Sequence, residues 1–177
     1  MKVLSVDIRT ADRLDAADIA AVHDAAWRLA YAGILPGIAL EKAVQRRGPE
    51  WWARTIEKSG SGLMVLTVGD DIVGYVSFGA ARTGRRFGAD GEIYEIYLKP
   101  EYQGIGFGSR LFRAALGRLA SYGCDKVVVW ALAANTTALS FYRHHGGSAA
   151  AIGEERFGEA RLRKLAFLFA MQHASKD

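Results

Sequence analysis

The order of segments in this chain predicts an α/β fold of the α+β type, in which a mixed sheet carries helices on both faces. Three observations lead to that expectation. Short runs of β-branched and aromatic residues alternate with segments whose apolar residues recur every three or four positions, in the order βααβββαβαββ. A chain of 177 residues with 50% hydrophobic content is long enough to bury a core as one domain. A glycine-rich stretch at 103–108 joins one of the apolar strands directly to an amphipathic helix. No repeat or linker interrupts the sequence, so residues 1–177 are read as a single domain.

Residues 3–9 alternate apolar and polar side chains and read as an opening strand. Asp15 is placed to cap a helix with Ile19, Val22, Ala26 and Ala30 on one face, ending near Gly33 and Pro36. A shorter helical stretch around 40–44 precedes Gly48-Pro49. Residues 50–58 then carry Trp51, Trp52 and Ile56 before Ser59-Gly60-Ser61-Gly62 breaks the pattern. Strands at 63–68 and 72–80 flank Gly69-Asp70-Asp71, a hairpin signal, and 82–91 reads as a mobile loop before a strand at 92–98. A helix at 108–122, a β-branched strand at 126–130, a helix at 136–144 and two strands at 148–154 and 161–169 follow.

The glycine-rich turn bears the chemistry. Ile93, Tyr94, Ile96, Tyr97 and Leu98 precede it as a strand, and Leu111, Phe112, Ala115, Leu116 and Leu119 follow at helical spacing. The glycines therefore stand at a helix N-terminus, where the first backbone N–H groups lack intrahelical acceptors and the macrodipole is positive. A diphosphate can be held there without a lysine. A P-loop is excluded, because Gly108 is followed by Ser109-Arg110 and not by Lys-Ser or Lys-Thr. A dinucleotide fingerprint meets Ser109 where its third glycine belongs, and no acidic residue follows the next strand at the expected place. What remains is the pattern Gln-x-x-Gly-x-Gly, met by Gln103, Gly106 and Gly108.

That pattern resembles the acyl-CoA pyrophosphate loop of the GCN5-related N-acetyltransferase (GNAT) superfamily. A second segment strengthens the resemblance: after the strand at 126–130 come Asn135, Ala138, Phe141, Tyr142 and Gly146, similar to the family's Asn-x-x-Ala-x-x-Phe-Tyr and following glycine. Ala21-Val22-His23, Trp27-Arg28, Tyr31 and Gly33-Ile34-Leu35-Pro36 resemble the opening of one bacterial branch of these enzymes. Two independent motifs in the right order and context are more specific than one.

The resemblance implies a single GNAT domain whose mostly antiparallel sheet of about seven strands splays between strands 4 and 5, the pantetheine arm of acetyl-CoA entering the gap. It implies an acyl-CoA-dependent N-acetyltransferase in which a primary amine of a small molecule or peptide attacks the thioester directly in a ternary complex. Backbone N–H groups of Gln103, Gly104, Ile105, Gly106, Phe107 and Gly108 would hold the pyrophosphate, with a hydroxyl from Ser109 and a charge from Arg110. Ile96 and Leu98 would pair the pantetheine amides like an added strand, with the N–H of Leu98, and that of Tyr97 as a second candidate, donating to the oxyanion. Asn135 looks like the residue that bonds the cofactor arm, although a helix N-cap is as good a reading. Tyr142 resembles the family tyrosine that protonates the departing thiolate, a phenol and a thiol being of similar acidity; its other reading is packing beside Phe141.

Glu92 and Glu95 are the acids of the central strand, and residues three apart on a strand point to opposite faces. Glu92 lies eleven residues before Gln103, the offset at which histone-acetylating members of the superfamily place their general base, so it is the favoured base. Glu95 is expected to orient substrate or pair with an arginine. Trp27, Tyr31, Trp51, Trp52 and the Arg82, Arg85 and Arg86 loop belong to regions that resemble the family's acceptor wall, while helical spacing explains most of the aromatics as core.

The remaining composition narrows the partners. One cysteine, Cys124, excludes an internal disulfide and a multi-cysteine metal site, and it is read as an inert thiol. His144 and His145 form an adjacent pair poorly suited to chelation, so no metal is expected. No apolar run is long enough to cross a membrane and the N-terminus has no signal-type core, which leads to a cytoplasmic expectation. Net charge is +4 with basic residues spread along the chain, which does not call for nucleic acid. The apolar run 165–171 suggests an exposed sheet edge and a homodimer. A non-catalytic acyl-CoA-binding or sensing module is the alternative; Glu92 and Tyr142 favour the enzyme.

Overall fold

The computed structural model describes residues 4–60 and 62–172. Seven strands form one sheet in the order β1-β2-β3-β4-β5-β7-β6. They are β1 (Val6–Thr10), β2 (Leu63–Val68), β3 (Asp71–Ala80), β4 (Gly91–Leu98), β5 (Lys126–Leu132), β6 (Ser148–Phe157) and β7 (Ala160–Ala170). The helices are α1 (Ala16–Tyr31), α2 (Gly37–Arg46), α3 (Pro49–Ser59), α4 (Phe107–Ser121) and α5 (Thr136–His144). Three helices, not two, separate the first two strands, because Gly48-Pro49 ends one helical run and starts another, with Pro49 at a position where its missing N–H costs nothing. Residue 3 of the expected first strand and Ser61 of the expected breaker lie outside the described residues.

The described contacts group the chain into two units, 1–77 with 95–114 and 78–94 with 115–177, and both β3 and β4 run through the division. In the first, β1, β2 and β3 pair antiparallel from Val6↔Val68 through Leu63↔Ser77. Helix α1 lays Ala16, Ile19 and Val22 into the core with Trp52 and Ile56 of α3 and with Leu63, Val65 and Tyr75 of the strands. Ile19, Val22 and Trp52 are wholly or almost wholly buried, each burial stabilising by roughly 1.5–3 kcal/mol.

The start of α1 corrects one expectation. Asp15 does not cap the helix with its side chain. Asp12 instead caps the short 3-10 turn Arg13–Asp15 that leads into α1, accepting from the Leu14 N–H at 2.9 Å, while the Asp15 carboxylate reaches back to the Asp12 N–H at 2.7 Å. Arg9 of β1 meets both Asp15 oxygens at 2.7 and 2.9 Å, a bidentate pair that ties the first strand to the helix entrance. That hydrogen-bonded arginine holds the Asp15 carboxyl below its ordinary range.

In the second unit, β5 pairs parallel with β4 from Gly91↔Val127 to Ile93↔Val129 and antiparallel with β7 along its whole length. Val127, Val128 and Val129 are buried, as a strand covered on both faces requires. The β7 strand is the second correction. It lies between β5 and β6 and is no edge, so its apolar residues are consumed by pairing inside the sheet and give no reason for a dimer. The outer strand is β6, with alternate residues exposed and ion pairs from Glu155 to Lys164 and from Glu154 to Arg161. Charges of that kind keep an edge from pairing further.

At the turn after α5, Gly147 has no room for a side chain. A Cβ on Gly147 would come within 2.6 Å of the Phe169 ring and 2.9 Å of the Tyr142 carbonyl oxygen, so Phe169 of β7 already fills that space. Gly147→Ala should lower stability by about 1–3 kcal/mol through overpacking. Urea unfolding followed by circular dichroism checks this: the midpoint should fall at unchanged slope, and an unmoved midpoint would show that the Phe169 ring yields freely.

Candidate functional site

The turn between β4 and α4 is built as the sequence suggested. A short 3-10 turn at Pro100–Tyr102 ends in Gln103, and Gly104 and Gly106 then adopt φ of 77° and 91°. Only glycine enters that region without strain, and the alternation turns successive N–H groups to one side of the chain, the concavity that binds anions. Gly104, Ile105 and Gly106 are exposed and α4 begins at Phe107, so its unpaired first-turn donors continue the same row. A Cβ on Gly104 or Gly106 would meet nothing within 4 Å, so the turn has open space beside both glycines.

Two of the expected phosphate contacts are engaged elsewhere. The Gln103 N–H donates to the Pro100 carbonyl at 3.2 Å, and its side-chain amide donates to the Leu98 carbonyl at 3.0 Å. Gln103 thus braces the turn against the end of β4, and the donors open to an anion start at Gly104. Arg110 donates to the Val6 carbonyl at 3.1 Å. Ile96 is half-buried and Leu98 buried at the end of β4.

Asn135 caps α5, its Oδ1 accepting from the Ala138 N–H at 3.1 Å, which leaves its NH2 for other use. Tyr142 is buried on α5, its ring packed on Phe141, Phe167 and Phe169 with centroids 5.5, 5.7 and 6.3 Å away. The two acids of β4 go to different neighbours. Glu92 is 6% exposed and accepts the N–H groups of Arg82 at 2.7 Å and Thr83 at 3.2 Å, with the Thr83 hydroxyl at 3.3 Å. Trp130 in turn donates its indole N–H to that hydroxyl at 2.8 Å. The loop expected to be mobile is therefore pinned at 82–83, and Arg82 stacks over the Tyr94 ring at 3.6 Å. Glu92 is no solvated strand-end carboxylate.

Glu95 has the arginine partner expected of it: it pairs with Arg47, which follows α2, and accepts from the Tyr75 hydroxyl at 3.1 Å. Behind it, His23 Nδ1 stands 2.9 Å from the same hydroxyl. An ionised carboxylate can only accept, so the Tyr75 proton belongs to Glu95 and His23 Nδ1 must be the donor to the phenol. Its Nε2 is then the bare nitrogen, buried without a partner among the described residues. Tyr31 and Tyr97 share a hydrogen bond at 2.7 Å, and Trp27, Trp51 and Trp52 complete an aromatic wall. Burial first and the Arg47 charge second push the His23 pKa down to about 3, while burial pushes the Tyr75 and Tyr97 phenols up. The sequence showed the aromatics; it gave no sign of Arg47, whose partner lies 48 residues away.

Cys124 is half-buried, and burial with Asp90 and Asp125 nearby raises its thiol pKa, as an inert cysteine should show. Among the described residues no group of three or more His, Cys, Asp or Glu could hold a metal ion, and no helix is long and apolar enough to cross a membrane.

Residues 20–146 match the model of the acetyltransferase (GNAT) family. The chain belongs to that family. It is an acetyltransferase in the class sense, and the glycine turn just described falls within the matched span. It is 32% identical over 161 residues to YuaI of Bacillus subtilis strain 168, an uncharacterized N-acetyltransferase, covering 89% of this chain and 88% of that one. The fold is shared with the PaiA N-acetyltransferase of Thermoplasma acidophilum, solved in complex with coenzyme A, at 20% identity and a TM-score of 0.73 over 90% of this chain and 98% of that one. A GCN5-related N-acetyltransferase from Rhodopseudomonas palustris superposes with a TM-score of 0.76 at 19% identity, covering 97% of this chain and 99% of that one.

The buried histidine gives a pH signature. Its pKa in the folded chain lies below the ordinary 6.5, so the unfolded chain binds the extra proton between about 6.5 and about 3. Stability from this group is complete above 6.5 and is lost as pH falls through that window, by about 1.4 kcal/mol per pH unit. The His23 Hε1 resonance should stay flat from pH 8 to pH 5 by NMR; a sigmoid centred near 6.5 would contradict the buried, neutral imidazole.

Proposed function

We propose that the chain transfers an acetyl group from acetyl-CoA to the primary amine of a small molecule or peptide, by direct attack in a ternary complex, with residues 1–177 acting as one acetyltransferase domain. The observation that carries this is the turn at 103–108, where two left-handed glycines and the first turn of α4 present open N–H groups to an anion. Family membership and the coenzyme A complex of the Thermoplasma relative support the same ligand.

Acetyl-CoA supplies an activated acyl carbon as its thioester. Gly104, Ile105, Gly106, Phe107 and Gly108 offer N–H donors to the pyrophosphate, Ser109 adds a hydroxyl, and the NH2 of Asn135 is available to the arm. Ile96 and Leu98 offer strand backbone to the pantetheine amides, and the Leu98 N–H receives the developing oxyanion. The amine forms the C–N bond as the C–S bond breaks; the ammonium gives up one proton to a base, and the second excess nitrogen proton reaches the departing sulfur through Tyr142, whose phenol is restored. Positioning two bound reactants supplies much of the rate, and acid–base catalysis about 10²–10⁴-fold.

Glu92, the base expected from its offset, has both oxygens engaged by the 82–83 loop. We infer that its main work is to hold that loop. Glutamine can keep the arrangement, one oxygen accepting both N–H groups while its NH2 turns to the Thr83 oxygen, so Glu92→Gln should fold normally and retain acetyl transfer within about tenfold. A loss of 10²-fold or more in kcat at unchanged stability would return the base role to Glu92.

Cofactor binding is tested by calorimetry with acetyl-CoA and CoA on the native chain, Gly106→Ala and Gly106→Glu. Both variants share the cost of a side chain at positive φ, and only the second puts a carboxylate into the anion site. The native chain and Gly106→Ala should bind at micromolar levels and Gly106→Glu should not. Failure of the native chain to bind either ligand would remove the transferase reading, whereas Tyr142→Phe should bind both and lose kcat.

A further inference from the structure

We propose that the acceptor of this transferase is an α-amino acid, with Arg47 holding its carboxylate and Glu95 holding its ammonium and taking the proton that acylation releases. The proposal rests on the acetyl-transfer reading above and names the substrate class of the same enzyme.

Charge balance selects the acceptor. Arg47 and Glu95 form an ion pair that is neither on the surface nor sealed, with 27% and 15% of their side chains exposed. A pair in that position is costly to break one-sidedly, because the partner left behind is a partly buried, uncompensated charge. A simple amine enters as a cation; it can reach Glu95 only by competing with Arg47, and the site then carries one positive charge too many. A carboxylic acid can satisfy Arg47 but has no nucleophile. A zwitterion brings both charges, exchanges one ion pair for two, and leaves the sum at zero.

The geometry around the pair fits that exchange. Arg47 is held by more than Glu95: its guanidinium lies 4.8 Å from the Trp51 ring and 5.7 Å from the Trp27 ring, so it keeps its place when its carboxylate partner changes. A guanidinium carries five N–H donors in a flat fork suited to a second carboxylate. Glu95 is likewise fixed without Arg47, because its other oxygen is held by Tyr75, whose hydroxyl is aimed by His23. The aromatic wall of Trp27, Trp51 and Tyr97 offers an apolar, π-faced surface to the amino-acid side chain. Three residues further along β4 is the N–H of Leu98, the proposed oxyanion donor.

The pair also acts as a gate on the chemistry. While Arg47 engages Glu95, that carboxylate has a fixed cation and no proton to accept. Once the substrate carboxylate takes Arg47, Glu95 faces the ammonium, accepts one of its protons and frees the lone pair for the acyl carbon. The C–N bond forms, the C–S bond breaks, the remaining excess proton passes to the sulfur through Tyr142, and the proton on Glu95 returns to solvent. The products are an N-acetyl amino acid, CoA as its thiol and one proton. The acetylated nitrogen no longer carries a charge, so the product loses its hold on Glu95 and Arg47 can close the pair again.

The experiment is a thiol-release assay with the native chain, acetyl-CoA and the proteinogenic α-amino acids, followed for the best of them by its carboxamide and its decarboxylated amine. At least one amino acid should be acetylated, with kcat/KM tenfold or more above both analogues. Arg47→Gln should raise KM for the amino acid at least tenfold, leave KM for acetyl-CoA unchanged and bring the acid and the carboxamide toward equal rates; Glu95→Gln should instead cut kcat by 10²-fold or more. Equal or faster turnover of the carboxamide or amine overturns the proposal, as does turnover of no amino acid by a protein that binds acetyl-CoA in calorimetry. The ligand series needs no variant, so a misfolded Arg47→Gln protein would not protect the idea. A native chain that binds no acetyl-CoA fails at the earlier step and overturns the transferase reading itself.

Discussion

The hydroxyl of Tyr75 is the fixed point of the first unit. Its proton is committed to Glu95 and its oxygen accepts from His23, so one group aims a carboxylate on β4 and sets the tautomer of an imidazole on α1. The cost is visible in His23 Nε2, a buried acceptor without a partner among the described residues, worth roughly 1–3 kcal/mol against stability. Such a cost persists only where the surroundings enforce it. Here they do, since Trp27, Trp52, Tyr75 and Tyr97 all pack on the His23 ring with centroids between 4.8 and 6.4 Å. A neutral, immobile imidazole spends stability on the direction of one O–H bond.

The other carboxylate of β4 shows the opposite use of a buried charge. Glu92 is satisfied by two backbone N–H groups and a hydroxyl, and it thereby turns the loop after β3 into a part of the structure. Asp90 does a similar thing two residues earlier in the chain, accepting from the N–H groups of Asp125 and Lys126 at 2.9 and 3.0 Å and drawing the start of β5 to that of β4. Those backbone bonds hold its carboxyl below the ordinary range. Position on a central strand does not by itself make an acid a catalyst; what else its oxygens are doing decides.

Most of the fold was legible because its signals are local. Apolar periodicity placed α1, β2 and α5, and the glycine turn was legible because positive φ and exposure are demands that a few residues meet by themselves. What could not be read depends on pairing across the chain. The run 165–171 is apolar whether its strand is an edge or an interior member, and only the register with β5 and β6 makes that strand interior. Asp12 and Asp15 are both good caps by type; Arg9, six residues before Asp15, recruits one of them, and the other caps the 3-10 turn that precedes α1. In the site, Gln103 was legible as a member of the motif, but its bonds to Pro100 and Leu98 depend on the turn already being formed.

Arg47 is the clearest case of a residue invisible to local reading, and the reason is physical. At the end of α2 it looks like any cation near a helix C-terminus, where the dipole favours positive charge by roughly 0.3–1 kcal/mol. Two indoles and a carboxylate from three other segments give it a different meaning. The same three partners explain why lysine would not replace it: an ammonium can meet Glu95, but it cannot lie flat on Trp51 and still offer a planar fork to a second anion. The tryptophans fix where the positive charge stands, Tyr75 fixes where the negative one stands, and the ion pair between them stays exchangeable because neither end relies on the other for its position.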